Sequence, residues 1–395
     1  MSGPVRTLHV DIEGGFGGSS RSLFELIRCL DRERILPLVA HRQQGPVVAR
    51  YQAIGVPTAH VPEIASYVPR RGKGLRNLIA SLPRLARLAR AADRLARLAR
   101  DHGAEVIHLN YEGLFLLAPL LRHRTGLPMV VHCRALLPED AWGRWVARRL
   151  AAVADHLLFI SPQEEARVRA LARPRTLAGE VMWNIAPEPP ARAPLGSPPE
   201  AVYLGSLDPA KGADRLVTIA AALDRIGAPP LVIAAYGEAR ARPRFAAELA
   251  AEAARFGHRL RFRGHTAEPE TALASALALV RPSREDDPWG RDVIEAARAG
   301  VPALATGTDQ GVVEHGVTGW LFQPFEAEGF ARRLAALAFD PELRDRIGAA
   351  AAARAATRFS GGAQAARAAS LFERLAGRGE TQPAVLEPSP SLVAR

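Results

Sequence analysis

The densest set of chemistry-bearing residues runs from Pro282 to Pro302 and includes Asp287, Trp289, Gly290, Arg291, Asp292 and Glu295. Asp287 and Glu295 stand eight positions apart, one in a loop and the other inside the second turn of a predicted helix. Carboxylates accept hydrogen bonds from sugar hydroxyls, so two of them at different depths suit a ligand with two sugar rings. The same acids at a helix start also fit capping and dipole roles, and Asp292 in particular suits such a role.

A second cluster precedes the first helical segment. Gly14, Gly15, Gly17 and Gly18 lead through Ser19 and Ser20 to Arg21. Glycines let a ligand approach the backbone closely, and free N–H groups at a helix start suit a phosphate. The run is not a dinucleotide fingerprint, because Ser20 stands where the third glycine would fall and the second strand ends in His41-Arg42 rather than an acid. A glycine turn that merely joins strand to helix has similar composition. Only two of the 52 basic side chains are lysines, Lys73 and Lys211. Lys211 directly follows an apolar strand-like run and Gly205-Ser206, where a compact ammonium could neutralise a phosphate.

Such residues need strands and helices to hold them. Apolar runs at Val5 to Ile12, Ile35 to Ala40, Thr58 to Val61, Glu105 to Leu109, Met129 to Cys133 and His156 to Ile160 alternate with segments of helical period. Continuous apolar strands separated by helices predict a parallel sheet covered on both faces. Six prolines between Pro187 and Pro199 interrupt this rhythm. It restarts at Ala201 to Gly205, Pro230 to Ala235, Arg259 to Arg263, Leu277 to Arg281 and Pro302 to Thr306. The expected organisation is a first α/β unit over 1–185, a Pro-rich hinge over 186–199 and a second α/β unit over 200–358. A helix over 359–376 and a disordered tail over 377–395 follow.

The length of 395 residues and 48% hydrophobic content exclude a single small module, a collagen and a wholly disordered chain. Two cysteines in apolar segments, Cys29 and Cys133, make neither a disulfide framework nor a zinc site, which suits a reducing, cytoplasmic compartment. Neither a signal peptide nor an apolar run long enough to span a bilayer is apparent. The net charge of +11 is concentrated in residues 70–100, where ten basic residues accompany one acid, Asp93. On a helix, Arg84, Arg87, Arg90, Arg94, Arg97 and Arg100 share one face and Leu85, Leu88, Ala92, Leu95, Ala96 and Ala99 the other. This pattern fits an ordinary surface helix or contact with an anionic membrane. Without interleaved aromatics it does not argue for nucleic acid.

The order Gly205-Ser206-Leu207, Lys211-Gly212, Pro282-Ser283, Asp287 through Glu295 and Ala299-Gly300-Val301-Pro302 resembles the retaining GT-B glycosyltransferases of family 4 (glycosyl transferases group 1), from Gly14 to about Leu375. The resemblance implies two Rossmann-like α/β/α domains facing each other across a cleft, the first on the acceptor side and the second holding a nucleotide sugar. It implies that Lys211 neutralises the donor diphosphate and Glu295 holds the ribose. Asp287, with Trp289, Gly290 and Arg291, would meet the transferred sugar, the Gly17-Gly18-Ser19 loop would close over the phosphates, and His132 would stand near the reacting centre. Ser206 occupies a donor-binding position where the family usually has arginine, a charge that Arg21, Arg134 or Arg291 could replace. Asp287 stands for the more usual glutamate, and Asn184-Ile185 for Asn-Gly. The implied reaction moves a sugar from a nucleoside diphosphate to an acceptor hydroxyl with retention, without metal or other cofactor. Its acceptor would be a saccharide or lipid-linked saccharide in bacterial surface polysaccharide or glycolipid synthesis, at the inner face of the cytoplasmic membrane. A sugar-nucleotide epimerase and a non-catalytic nucleotide-sugar binder share the same two-domain plan.

Overall fold

The computed structural model describes residues 3–12, 17–66, 82–238, 243–266, 268–284 and 290–378. Two all-parallel sheets organise them. The first contains β1 (Val5–Asp11), β2 (Ile35–His41), β3 (Thr58–His60), β4 (Val106–Leu109), β5 (Met129–Cys133), β6 (His156–Phe159) and β7 (Gly179–Val181), in the order β3-β2-β1-β4-β5-β6-β7. The second contains β8 (Glu200–Leu204), β9 (Val232–Tyr236), β10 (Leu260–Gly264), β11 (Ala276–Arg281), β12 (Ala303–Thr306) and β13 (Gly319–Phe322), in the order β10-β9-β8-β11-β12-β13.

Most strand positions agree with the apolar runs to within a residue or two, but β7 and β13 were not expected. Both are edge strands, of 3 and 4 residues, too short to generate a readable period. In each sheet the order reverses where the chain leaves its first strand, between β1 and β4 and between β8 and β11. In open parallel sheets, ligands bind outside the strand carboxyl ends at such switch points.

Helices cover both faces. On one side of the first sheet, Leu88, Ala92, Leu95, Leu121, Val146, Leu150 and Val168 pack on β1, β4 and β5. In the helix Leu82–His102, described at side-chain level from Arg87, Leu88, Ala92, Leu95, Ala96 and Ala99 are buried, whereas Arg87, Arg90, Arg94, Arg97 and Arg100 are exposed. The part of the basic patch over 70–81 lies outside the described residues.

The helix Gly361–Leu375 packs on the opposite face of the first sheet, where Ala365, Ala368, Leu371 and Phe372 share a core with Leu23, Ile27 and Val39. Arg34 holds Glu373 at 2.6 Å, and Trp183 meets Phe359 edge-on at 5.5 Å. Arg378, at the start of the expected tail, pairs with Glu105 at 2.6 Å; residues 379–395 lie outside the described residues.

Candidate active site

The residues that follow β1, β4 and β5 in one half and β8 and β11 in the other line one cleft of about 1250 Å³. Ligand sites commonly occupy ~300–1,000 Å³, so there is room for two substrates side by side. Gly18, Ser19, Ser22, Glu112, Arg134 and Trp142 contribute to one wall, and Ala210, Lys211, Arg281, Arg284, Gly290 and Arg291 to the other.

The glycine run becomes the start of the helix Gly18–Cys29, with Gly17 as its extended N-cap residue. No acid occupies its first turn, which leaves the positive end of the helix dipole uncompensated by its own sequence. Instead, Arg21, behind the cleft lining, reaches the other half and places Nη2 3.1 Å from Glu295 Oε1 and 3.8 Å from Glu270 Oε2.

Lys211 ends a short 3-10 turn, Pro209–Lys211, capped by Asp208, whose carboxylate accepts from the Ala210 amide at 2.8 Å. Gly212 follows with φ 71°, and a Cβ there would lie 1.9 Å from the Pro282 carbonyl oxygen. Only glycine permits both the backbone conformation and this approach. The turn is fastened to the end of β11: the Arg284 amide donates to the Ala210 carbonyl at 2.9 Å and the Ser283 hydroxyl to the same oxygen at 3.2 Å.

The helix Arg291–Arg298 starts at Gly290 and carries Glu295, which is buried. Arg291 donates from Nη2 to Glu295 Oε1 at 2.7 Å and from Nη1 to Ser22 Oγ of the other half at 3.1 Å. Asp292 stands in the first turn of this helix, as the dipole reading expects, but makes no capping hydrogen bond. Its carboxylate receives Arg281 Nη1 at 2.6 Å through both oxygens, and a side chain on Gly290 would collide with this pair. Ser206 is exposed and lies off the cleft wall, while its carbonyl accepts the Tyr203 hydroxyl at 2.7 Å. Asp287 and Trp289 lie outside the described residues.

Arg134 organises the wall of the first half. It donates to Asn110 Oδ1 from Nε at 2.9 Å and Nη2 at 2.7 Å, and to Asn184 Oδ1 from Nη1 at 3.0 Å. Asn110 in turn donates to Asp11 and to the Ser19 carbonyl, each at 3.2 Å, which ties the glycine loop to the ends of β1 and β4. Burial lowers Arg134 to about 10. Burial raises Glu112 to about 7, although its carboxylate accepts the Arg134 amide at 2.8 Å.

His132 is buried beside this arginine and outside the cleft lining, and its Nδ1 accepts from Arg134 Nη2 at 3.3 Å. Desolvation, with Arg134 second, holds its pKa well below the usual histidine value, so the ring is neutral. With Nδ1 accepting, the ring proton resides on Nε2. Its ring neighbours are also histidines: His108 lies 5.6 Å away, and His108 Nδ1 is 2.9 Å from His9 Nδ1. The same wall carries an apolar stretch, Leu136, Leu137, Pro138 and Val146 beside Trp142, flanked by Glu139, Asp140 and Arg167.

The structure thus brings Gly18, Ser19, Lys211, Gly290 and Arg291 to one cleft and places Glu295 behind Arg291. Sequence reasoning missed Asn110, Glu112 and Arg281. All three sit at or just beyond strand carboxyl ends facing a switch point, which is the signal that could have found them.

Comparison with known proteins adds a consistent pattern. Residues 17–178 match the family described as "Glycosyl transferase 4-like domain", and residues 188–354 match "Glycosyl transferases group 1". The D-inositol 3-phosphate glycosyltransferase of Thermobispora bispora is 30% identical over 306 residues, covering 68% of this chain and 70% of that protein. The enzyme of the same name from Streptomyces griseus is 37% identical over 181 residues, 42% of this chain; the match spans only 38% of that protein's length. Among solved structures, HepE from Anabaena in complex with UDP and glucose superposes with a TM-score of 0.76 at 19% identity, covering 94% of this chain and all of that one. Sucrose-phosphate synthase from Thermosynechococcus elongatus gives 0.71 at 20%, covering 94% and 99%. At these identities the likeness is one of fold.

Proposed function

From a chain that belongs to the glycosyl transferases group 1 family and has the GT-B fold, we propose a retaining transfer of a sugar from a nucleoside-diphosphate sugar to an acceptor hydroxyl. The observation that carries this reading is the convergence of Lys211, Arg291 and the Gly18–Cys29 helix start, from both halves, on one cleft. Such an array suits a diphosphate that gains charge as it leaves.

In the proposed step the bond from the anomeric carbon to the diphosphate oxygen breaks, and the electron pair departs with the diphosphate. The acceptor oxygen bonds to the anomeric carbon from the same face and passes its proton to a diphosphate oxygen. Lys211 and the helix-start amides stabilise the leaving charge, so the proposed route needs no metal or other cofactor. Glu295 takes the ribose hydroxyls, and Asp287, Trp289 and Gly290 the transferred sugar. His132, buried behind the cleft lining with its proton on Nε2, acts near the reacting centre through Arg134, which lines the cleft and donates to its Nδ1.

The apolar stretch around Trp142 supports an acceptor with a nonpolar face, such as a saccharide ring or a lipid-linked saccharide. The row of exposed arginines from Arg87 to Arg100 supports peripheral attachment to an anionic membrane. Among the described residues no helix is long and apolar enough to cross a membrane.

Saturation-transfer NMR with UDP-, GDP-, ADP- and dTDP-sugars tests the reading. Selective saturation of one nucleotide sugar, lost in Lys211→Ala and Glu295→Ala, is the expected result. Binding of none would overturn it, and isomerisation of the nucleotide sugar without an acceptor would mark an epimerase instead.

A further inference from the structure

We propose that Arg21 is a second diphosphate-binding cation of the cleft, supplied from the half opposite Lys211 and parked on Glu295 until a nucleotide replaces it. The inference rests on the nucleotide-sugar reading above. Its basis is that one carboxylate oxygen serves two guanidinium groups from opposite halves. Glu295 Oε1 lies 2.7 Å from Arg291 Nη2 and 3.1 Å from Arg21 Nη2. Glu270, 3.8 Å from Arg21, is too distant for a hydrogen bond. The two guanidiniums thus meet on one carboxylate oxygen, in a place where the Arg21, Arg291 and Glu295 side chains are only 16%, 11% and 6% exposed. Like charges held this close out of water favour an incoming anion.

The neighbouring groups define that anion. Arg21 belongs to the first turn of the Gly18–Cys29 helix, whose start contains no acid. Arg291 lies against the backbone of that start: a Cβ built on Gly18 would be 4.0 Å from Arg291 Cδ. Lys211 contributes to the facing wall. Two guanidiniums, a helix start and an ammonium match a diphosphate better than a single carboxylate or monophosphate. Once ribose hydroxyls occupy Glu295, the Arg21 guanidinium is released within reach of the helix start. The diphosphate is then gripped from both halves, and stabilisation of the leaving group requires the cleft to be closed.

Isothermal titration of the full chain with UDP, GDP, ADP and inorganic pyrophosphate tests this in the unaltered protein and in the Arg21→Ala, Arg21→Gln and Arg21→Lys variants. The expected result is that Ala and Gln weaken the preferred nucleoside diphosphate about tenfold or more, Lys weakens it less than about threefold, and saturation transfer from the matching nucleoside is unchanged. Equal or tighter diphosphate binding in Arg21→Gln overturns the inference, since Arg21 would then do no more than occupy Glu295. If Arg21→Ala fails to fold, the Gln and Lys pair decides by charge alone. Failure of the unaltered protein to bind any nucleotide would overturn the transferase reading itself, whereas nucleotide binding indifferent to Arg21→Gln overturns this inference alone.

Discussion

Arg281, the last residue of β11, donates from Nη1 to both carboxylate oxygens of Asp292, each at 2.6 Å, in the first turn of the helix that follows. Both side chains are 11% exposed, so the pair fixes the angle between strand and helix where the cleft wall is made. Removing one partner of a buried ion pair strands the other charge, at a cost of about 3–5 kcal/mol. Asp292→Asn is expected to lower stability, while Arg281→Leu combined with Asp292→Leu loses less. Urea denaturation midpoints of the three proteins check the order.

Glu112 gives a pH signature. Its folded pKa of about 7 lies above the ordinary 4.5, because burial outweighs the hydrogen bond from the Arg134 amide. The folded state therefore holds a proton that the unfolded state has released between those values, and this contribution to stability is lost as pH rises from 4.5 to 7. The buried histidines act in the opposite sense. His9, lowered from 6.5 to about 3 mainly by burial, contributes stability that is lost as pH falls through that window. Glu112→Gln is expected to remove the first contribution alone, so that variant gains on the unaltered protein by up to about 3 kcal/mol between pH 4.5 and 7. Denaturant unfolding at pH 5 and pH 7.5 measures the difference; parallel profiles would refute it.

Gly212→Ala tests the turn that presents Lys211. The substitution meets both a left-handed φ of 71° and a 1.9 Å approach to the Pro282 carbonyl oxygen. Gly126, with φ 68° and nothing within 4 Å of its Cβ position, is the control for conformation alone. Gly126→Ala is expected to cost about 1 kcal/mol and to leave nucleotide binding intact. Gly212→Ala should cost more and also abolish the Lys211-dependent saturation-transfer signal. Equal melting temperatures and binding in both variants would show that the Lys211 turn tolerates displacement.

The basic helix makes a salt-dependent prediction. Arg87, Arg90, Arg97 and Arg100 are exposed, while Arg94 is 3.4 Å from Glu63. Changing the first four to Gln should remove roughly 1 kcal/mol of attraction per arginine to anionic vesicles, and the remaining binding should fade as ionic strength rises. Vesicle flotation with and without phosphatidylserine measures this. Unchanged flotation would confine the helix to its role of covering the first sheet.

Two α/β halves were legible because buried parallel strands leave continuous apolar runs, such as Met129 to Cys133, and because a helix with one buried face repeats its apolar residues at helical spacing, as from Leu88 to Ala99. The short edge strands Gly179–Val181 and Gly319–Phe322 leave no such trace, since three or four residues set no period. Lys211 and Glu295 stood out through local features of the chain, a rare residue type after a strand and a fixed spacing into a helix. The partners of these residues did not. Arg21 and Glu295 are 274 positions apart, and Asn110, Arg134 and Asn184 share hydrogen bonds only because β4 and β5 are neighbours in space and the chain leaving β7 returns to them. The sequence by itself determined which segments become strands and helices and which groups end each strand, because these depend on local composition and period. Only the tertiary structure decided which of those groups meet, because the strand order and the seating of one half against the other place Arg21 on Glu295 and Arg281 on Asp292. Hydrogen-bond reach is a matter of a few ångströms that spacing along a chain does not encode.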